Sequence, residues 1–198
     1  FVTTASARAL LTAARETMRG YWGEAAVTAA GDSGAVVRAS AVDSIPWPGP
    51  PASVYLSLVG DEGTRACVGG PPAEGGLAGT VRSLARRALH SDPRRPPVRQ
   101  EELERLRIVI SFAGTGAPIV DPMEWDPGTE GLLVRSGERS VAFLPGEART
   151  VAWALREARR IRVLAGPPSS ASYQRFPVVV LMESPVSGVH REESHAAP

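Results

Sequence analysis

A short strand, a proline- and glycine-rich turn and a helix follow one another at residues 64–89, and this succession most constrains how the chain folds. Side chains on a strand point alternately to its two faces, so Arg65 and Cys67 share one face, with β-carbons about 6 to 7 Å apart. A neighbouring cation favours the thiolate form of cysteine. The spacing therefore predicts an anion-binding site with a potential nucleophile in Cys67, the only cysteine of the chain, and it does not specify a reaction.

The same spacing also has a purely structural interpretation. Buried cysteine commonly serves as a small apolar core residue. Arg65 can equally lock a loop through a two-pronged ion pair with Asp92 or Glu130. The alternation determines the face of the strand and not the depth of burial, so both interpretations stay open from the sequence.

Periodic apolar residues predict the rest of the fold. Alternating or continuous apolar runs predict strands at 35–42, 53–60, 106–112, 131–134, 139–144 and 177–182. Apolar residues at helical spacing predict helices at 6–18, 77–89 and 150–161. Short turns such as Asp61-Glu62-Gly63 join neighbouring strands into hairpins. We therefore predict an α+β fold with a mixed, mostly antiparallel sheet flanked by helices.

The composition excludes several classes of enzyme. The 198 residues include neither Lys nor Asn, so Schiff-base chemistry on lysine, a Walker P-loop and a Cys/His/Asn triad are excluded. With one cysteine, neither an internal disulfide nor a multi-cysteine metal site can form. We expect no metal site and no cofactor.

Charge and hydropathy limit the classes of partner that we expect. The 22 basic and 21 acidic residues give a formal net charge of +1, so no overall field recruits nucleic acid or anionic lipid. The arginine clusters alone are poor support for nucleic-acid binding. No apolar run reaches the roughly 18 residues of a membrane-spanning helix. We expect a cytoplasmic protein with no membrane partner, and a loose tail at residues 183–198 because serine, proline and glycine dominate there.

Further candidates follow the second predicted helix. His90 lies near its end, where a cation complements the helix dipole or where the imidazole reaches Cys67 as a base. Asp92 and Arg94 stand two positions apart in a proline-rich turn. An ion pair between them would fix the conformation of the loop, which gives Asp92 a structural role.

Several segments in order resemble the AMMECR family, namely 65–69, 91–98, 102–111, 130–132 and 144–145. The family motif reads Leu-Arg-Gly-Cys-Ile-Gly, followed by Asp-Pro-Arg-Phe-Pro-Pro, Glu-Leu-x-x-Leu-x-Ile-x-Ile-Ser, a His/Asp-Gly-Leu strand and a Leu-Pro pair. The resemblance extends from the first helix to about residue 165. Departures from the motif are Thr64 for Leu, Ala66 for Gly and Arg95 for Phe.

The resemblance implies a fold and a site. It implies a single domain at 1–182, with a larger α/β subdomain, a smaller partly helical one and the cysteine motif near the groove between them. Glu130 stands where the family motif has His or Asp before Gly-Leu, so the resemblance makes it an acid/base candidate. Some family members are encoded with or fused to Memo-like and radical-SAM proteins, but the family implies no particular reaction.

Two functions remain open. In the first, the chain is a cofactor-independent enzyme for a small anionic metabolite, for example in biosynthesis. Its catalytic residues would be Cys67, His90 and Glu130, and its substrate-binding residues Arg65, Gly69, Gly70 and Arg94. Such a Cys67 should react quickly with alkylating reagents at neutral pH. In the alternative, an AMMECR-type binding or adaptor module grips a protein partner in the same cleft without chemistry.

Overall fold

The computed structural model describes residues 4–23, 35–39, 51–92 and 94–184, which contain three α-helices and eight strands. The helices are α1 (Thr4–Gly20), α2 (Gly76–His90) and α3 (Val151–Arg160). The strands are β1 (Ala35–Ala39), β2 (Ser53–Gly60), β3 (Gly63–Gly70), β4 (Arg107–Ala113), β5 (Ala117–Ile119), β6 (Glu130–Ser136), β7 (Arg139–Phe143) and β8 (Ser172–Glu183). Short 3₁₀ helices lie at Gln100–Arg105, Pro122–Glu124 and Pro168–Ser170. The α+β prediction is confirmed.

The long strand β8 joins the two halves of the sheet. The strand order is β3-β2-β4-β8-β6-β7, with β1 and β5 also paired to β8. Residues 178–182 of β8 pair with β4, whereas residues 172–177 pair with β6. The pairings among these strands are all antiparallel. One continuous strand therefore fixes how the β2–β4 half meets the β6–β7 half.

Each half of the sheet has its own apolar core. The first core packs α1 and α2 against β2, β3 and β4. The second packs α3 against β6, β7 and the start of β8. A small third cluster, built on Ala113, Leu144, Phe176 and Val178, lies between them and includes Cys67 at its margin. The cysteine strand thus faces the junction of the two halves.

A buried ion pair ties α1 to the last strand. Arg15 donates to both carboxylate oxygens of Glu183, and also to the carbonyl oxygens of Leu103 (2.8 Å) and Leu106 (2.7 Å). The Glu183 carboxylate also accepts from the Ile108 N–H (2.8 Å). Because every polar group in this set is paired, the charges can be buried between helix and sheet.

Glu183, the first residue of the predicted tail, is the last residue of β8 and is buried. Residues 185–198 of that tail lie outside the described residues. Among the helices of the described part, none is both long and apolar enough to cross a membrane.

Candidate functional site

Cys67 lies on the face of β3 that is turned away from α2. Its neighbours Ala66 and Val68 are buried in the first core, which the alternation of a strand requires. The cysteine is partly exposed, carries a free thiol and pairs across the ladder with Ser57 of β2. The strand therefore presents its thiol to the space between the two halves of the sheet.

A pocket of about 560 Å³ occupies that space. Its lining comprises Tyr55, Cys67, Gly69, Arg94, Ser140, Val141, Ala142, Arg160, Ile161, Arg162 and Val163. The first wall is formed by β2, β3 and the turn after α2. The opposite wall is formed by β7 and the end of α3. Residues distant in the sequence thus meet at one cleft beside Cys67.

Asp92 fastens the turn after α2 to the cysteine strand. Its buried carboxylate accepts from the Cys67 N–H (2.9 Å) and from the Arg94 N–H (2.9 Å), and both oxygens pair with the Arg94 guanidinium (3.0 Å each). Arg94 Nη2 also donates to the Cys67 carbonyl oxygen (3.2 Å). Burial opposes ionisation of Asp92, but these hydrogen bonds outweigh it and lower the pKa of the carboxyl. The ion pair expected from the spacing forms, and it places Arg94 beside Cys67.

Burial and the nearby Glu147 carboxylate favour the neutral form of the thiol. It follows the Leu144-Pro145 pair and accepts from the Leu144 N–H (3.0 Å). Burial raises the pKa of Cys67 to about 12, with the negative charge of Glu147 adding to the effect. A hydrogen bond with Ser57, the charge of Arg94 and a hydrogen bond with Arg94 offset the rise only in part. The sequence suggested that a neighbouring arginine favours the thiolate, but at Cys67 burial and the Glu147 carboxylate outweigh the charge of Arg94.

The Glu147 carboxyl is itself perturbed. Burial raises its pKa, and hydrogen bonds from Leu144 and Cys67, together with the charge of Arg94, only partly offset the rise. The charge of Glu147 makes ionisation of Cys67 harder, whereas the hydrogen bond from the thiol favours the Glu147 carboxylate, so the protonation of the two groups is coupled. The site thus contains a Cys67 thiol hydrogen-bonded to the Glu147 carboxyl, with Arg94 next to the cysteine.

Arg65 acts as a lock on a loop and does not line the pocket. Its guanidinium makes a two-pronged ion pair with Glu102 (2.6 and 3.2 Å) and donates to the carbonyl oxygens of Pro96 and Pro97 (3.1 Å each). Although Arg65 and Cys67 share a face of β3, the long arginine side chain reaches away from the thiol. The sequence predicted that Arg65 binds the ligand of the Cys67 site, but its guanidinium is engaged elsewhere, and Arg94 is the cation next to the thiol.

The Arg65–Glu102 pair predicts a pH dependence of stability. The hydrogen bond from Arg65 lowers the pKa of Glu102 to about 2, below its ordinary 4.5. A carboxyl whose pKa falls on folding stabilises the protein above the unfolded value and loses that contribution as the pH falls through the folded one. We expect Glu102→Gln to lower the free energy of unfolding by about 1 to 2 kcal/mol at pH 7. In urea unfolding, this difference should shrink between pH 4.5 and pH 2. A difference that is independent of pH would contradict the assignment.

The other predicted residues lie elsewhere. His90 is exposed, with Nδ1 2.8 Å from the Ser91 hydroxyl and its ring stacked on Tyr21 (5.8 Å between centroids). Glu130 makes a long ion pair with Arg175 (3.9 Å). Neither residue lines the pocket, nor does Gly70. The structure does not bring His90 or Glu130 to Cys67.

Gly69 makes room for an aromatic wall. It pairs with Tyr55 across the ladder, and a β-carbon at this position would overlap the tyrosine ring. That ring stacks on Phe176, with 6.5 Å between centroids and 11° between planes. The glycine is therefore explained by close packing against Tyr55, which itself lines the pocket.

Sequence reasoning missed Tyr55, Glu147, Arg160 and Arg162. Ser53, Tyr55 and Ser57 alternate with apolar residues on β2, and this polar face was the available signal for Tyr55. For Glu147 the spacing in the sequence gives no signal, since only the tertiary fold brings this residue to Cys67. Among the described residues, no group of three or more His, Cys, Asp or Glu side chains is placed to hold a metal ion.

Comparison with known proteins decides the family. Residues 11–174 match the AMMECR1 family. The chain belongs to the AMMECR1 family. The resemblance seen in the motifs is thereby confirmed, and the Cys67 pocket lies within the matched AMMECR1 region.

This AMMECR1 chain is similar to several curated proteins over part of their length. It is 32% identical over 96 residues to a Thermotoga maritima protein, covering 48% of this chain and 55% of that protein. It is 37% identical over 87 residues to a Thermococcus gammatolerans protein, covering 41% and 42%. The chain spans about half the length of the curated relatives it matches. The crystal structure of the uncharacterized protein PH0010 from Pyrococcus horikoshii shares the fold, with a TM-score of 0.62 at 21% identity over 93% of this chain and 98% of that one.

Proposed function

We propose that this AMMECR1 domain is a cofactor-independent enzyme that binds a small anionic molecule at Cys67 and transfers a proton to or from it. The observation that carries the proposal is the contact of a neutral thiol with a carboxyl of raised pKa and a guanidinium, beside one pocket. Perturbed groups gathered at a cleft are typical of acid/base sites.

Arg94 would bind the anionic group of the substrate. Its Nε and Nη2 are engaged by Asp92 and the Cys67 carbonyl, which fix the plane of the guanidinium. The hydrogen bonds to Asp92 and the Cys67 carbonyl do not use its Nη1, which can donate to a ligand. Because Arg94 and Cys67 both line the pocket, an anion held by Arg94 lies next to the thiol.

Cys67 would be the catalytic residue, and Glu147 would act through it. As Cys67 takes a proton from the substrate, its own proton passes to the Glu147 carboxylate. The substrate loses one proton, Glu147 gains one, and the sulfur ends as a thiol. In the reverse direction Cys67 donates its proton to the substrate and is reprotonated by Glu147. This relay never requires a free thiolate, which suits a thiol whose pKa is about 12.

The binding-module alternative is favoured by the same thiol. A neutral sulfur without a resting negative charge can line a recognition pocket for an acidic group of a protein partner and take no part in chemistry. The two functions share the Arg94 contact and differ in whether a proton moves.

Isotope exchange tests the proposal. Wild-type protein is incubated in deuterated buffer with a panel of small carboxylic, keto and phosphorylated acids, and loss of carbon-bound protons is followed by NMR. For a probe that exchanges, Glu147→Gln and Cys67→Ala should slow exchange about 100- to 10,000-fold. Glu130→Gln, a carboxyl change away from the pocket, should leave the rate unchanged.

Two results would contradict the proposal. Equal exchange by wild type and Glu147→Gln would remove the relay. Probes that bind at the pocket without any exchange in wild type would favour the binding module.

A further inference from the structure

The pocket carries arginines on both of its walls. Arg94 stands beside Cys67 on the first wall, and Arg160 and Arg162 belong to the opposite wall at the end of α3. The residues lining the pocket include no Asp or Glu. Residues 135–162 contain seven arginines and three glutamates, although the whole chain has a net charge of only +1. The pocket lining thus carries three arginines, Arg94, Arg160 and Arg162, and no acidic side chain.

The arginines of the second wall keep donors available. Arg160 uses Nε (2.7 Å) and Nη2 (2.6 Å) to bind Glu157, which leaves Nη1 without a partner in the described part of the chain. The Arg162 side chain makes no hydrogen bond or ion pair to another described residue. Arg94 and Arg160 are close enough to interact electrostatically across the pocket. An anion between the walls would relieve that repulsion.

Arg162 occupies a position where glycine is usual. After α3 ends at Arg160, the Arg162 N–H bonds the Arg159 carbonyl (2.9 Å) and the Val163 N–H bonds the Ala158 carbonyl (2.9 Å), which is a Schellman ending. Arg162 therefore adopts the left-handed conformation, with φ 60°. Helices commonly place glycine there because a side chain is disfavoured.

The Arg162 backbone is also held from a neighbouring strand. Arg139 of β7 donates from Nη1 to the Arg162 carbonyl oxygen (2.9 Å). The left-handed residue is thus fixed at the pocket wall, and its side chain stays available to a ligand.

We infer that the ligand of this pocket is a small molecule with two anionic groups, one bound by Arg94 beside Cys67 and the other bound by Arg162 and Arg160 on the opposite wall. This inference rests on the proposed function only in placing an anion at Arg94. Phosphate and carboxylate both suit the second position, because guanidinium groups bind either one. Dicarboxylates and phosphorylated carboxylic acids are therefore the substrate class.

Pairs of similar ligands that carry either one or two anionic groups test whether the pocket has a second anion-binding position. Succinate is compared with succinamate, in which a neutral amide replaces one carboxylate, and phosphoglycolate is compared with glycolate. Affinities are measured by NMR titration of the wild-type protein at low salt. We expect the doubly charged member of at least one pair to bind about tenfold or more tightly. Which pair shows the preference tells whether the second group is a carboxylate or a phosphate.

Variants locate the second position. Arg162→Asn should remove the preference for two charges and leave the affinity for succinamate or glycolate unchanged. Asparagine is chosen because it tolerates the left-handed conformation. Arg156→Gln, on the exposed side of α3, serves as the matched control and should keep the preference.

The outcomes are distinguishable. If singly and doubly charged probes bind equally, or if Arg162→Asn weakens both alike, the inference of a second anionic position is overturned while proton exchange can still occur. If the two-charge preference appears but no probe exchanges deuterium, the proposed proton transfer fails and the inference stands. If no anion binds at all, both are overturned.

Discussion

Replacing Glu183 by alanine is expected to lower the free energy of unfolding by about 3 to 5 kcal/mol, the largest loss of stability that we predict. The change leaves the Arg15 guanidinium, with 14% of its side chain exposed, without its counter-charge. It also leaves the Ile108 N–H without its acceptor. An unpaired buried charge costs far more than the pair contributes. Urea unfolding of wild type and variant at neutral pH measures the difference.

The same helix offers a matched control. Arg19 of α1 pairs with Glu104 (2.9 Å), but both side chains are exposed, by 39% and 63%. Glu104→Ala should cost no more than about 1 kcal/mol, because solvent screens an exposed pair. Equal losses for Glu183→Ala and Glu104→Ala would contradict the view that burial of the Arg15 pair determines its importance.

Replacing Asp92 by alanine should be the second costly change, at about 3 kcal/mol. The carboxylate is nearly buried, pairs with Arg94 and accepts the Cys67 N–H. Its loss frees the Arg94 guanidinium from the turn, so binding of succinamate at the pocket should weaken as well. Urea unfolding and NMR titration measure the two effects.

Asp92→Asn separates the two contributions of this residue. The amide oxygen can still accept the backbone N–H, but the charge that holds Arg94 is lost. We expect a loss of stability roughly half that of alanine. If asparagine and alanine variants are equally unstable, the charge is the whole effect; if asparagine is as stable as wild type, the ion pair has no role in holding the turn.

The strands of the first half were predictable because their residues alternate clearly. Ala66 and Val68 face the core, and Cys67 faces the other way. The spacing in the proline-rich turn likewise indicated the Asp92–Arg94 pair, since two positions suffice for a carboxylate and a guanidinium to meet. These are local contacts, so the alternation of apolar residues and the spacing in the sequence are enough to predict them.

Side-chain direction and distant contacts were not predictable in this way. Arg65 shares a strand face with Cys67, yet four flexible bonds let its guanidinium reach Glu102 instead. Glu147 acts on Cys67 across 80 positions of sequence, through a sheet order that periodicity does not encode. Strand alternation also does not give the depth of burial, and burial, followed by the charge of Glu147, is what raises the pKa of the thiol.

The rate at which iodoacetamide alkylates Cys67 at neutral pH tests the coupled Cys67–Glu147 pair most directly. A thiol with a pKa of about 12 should react roughly 50-fold more slowly than the same cysteine in the urea-unfolded chain, after allowing for the greater nucleophilicity of its thiolate. Glu147→Gln should accelerate the reaction, and Arg65→Gln should leave it unchanged. Alkylation of the folded wild type as fast as the unfolded chain, slowed by Arg65→Gln and indifferent to Glu147→Gln, would contradict the account.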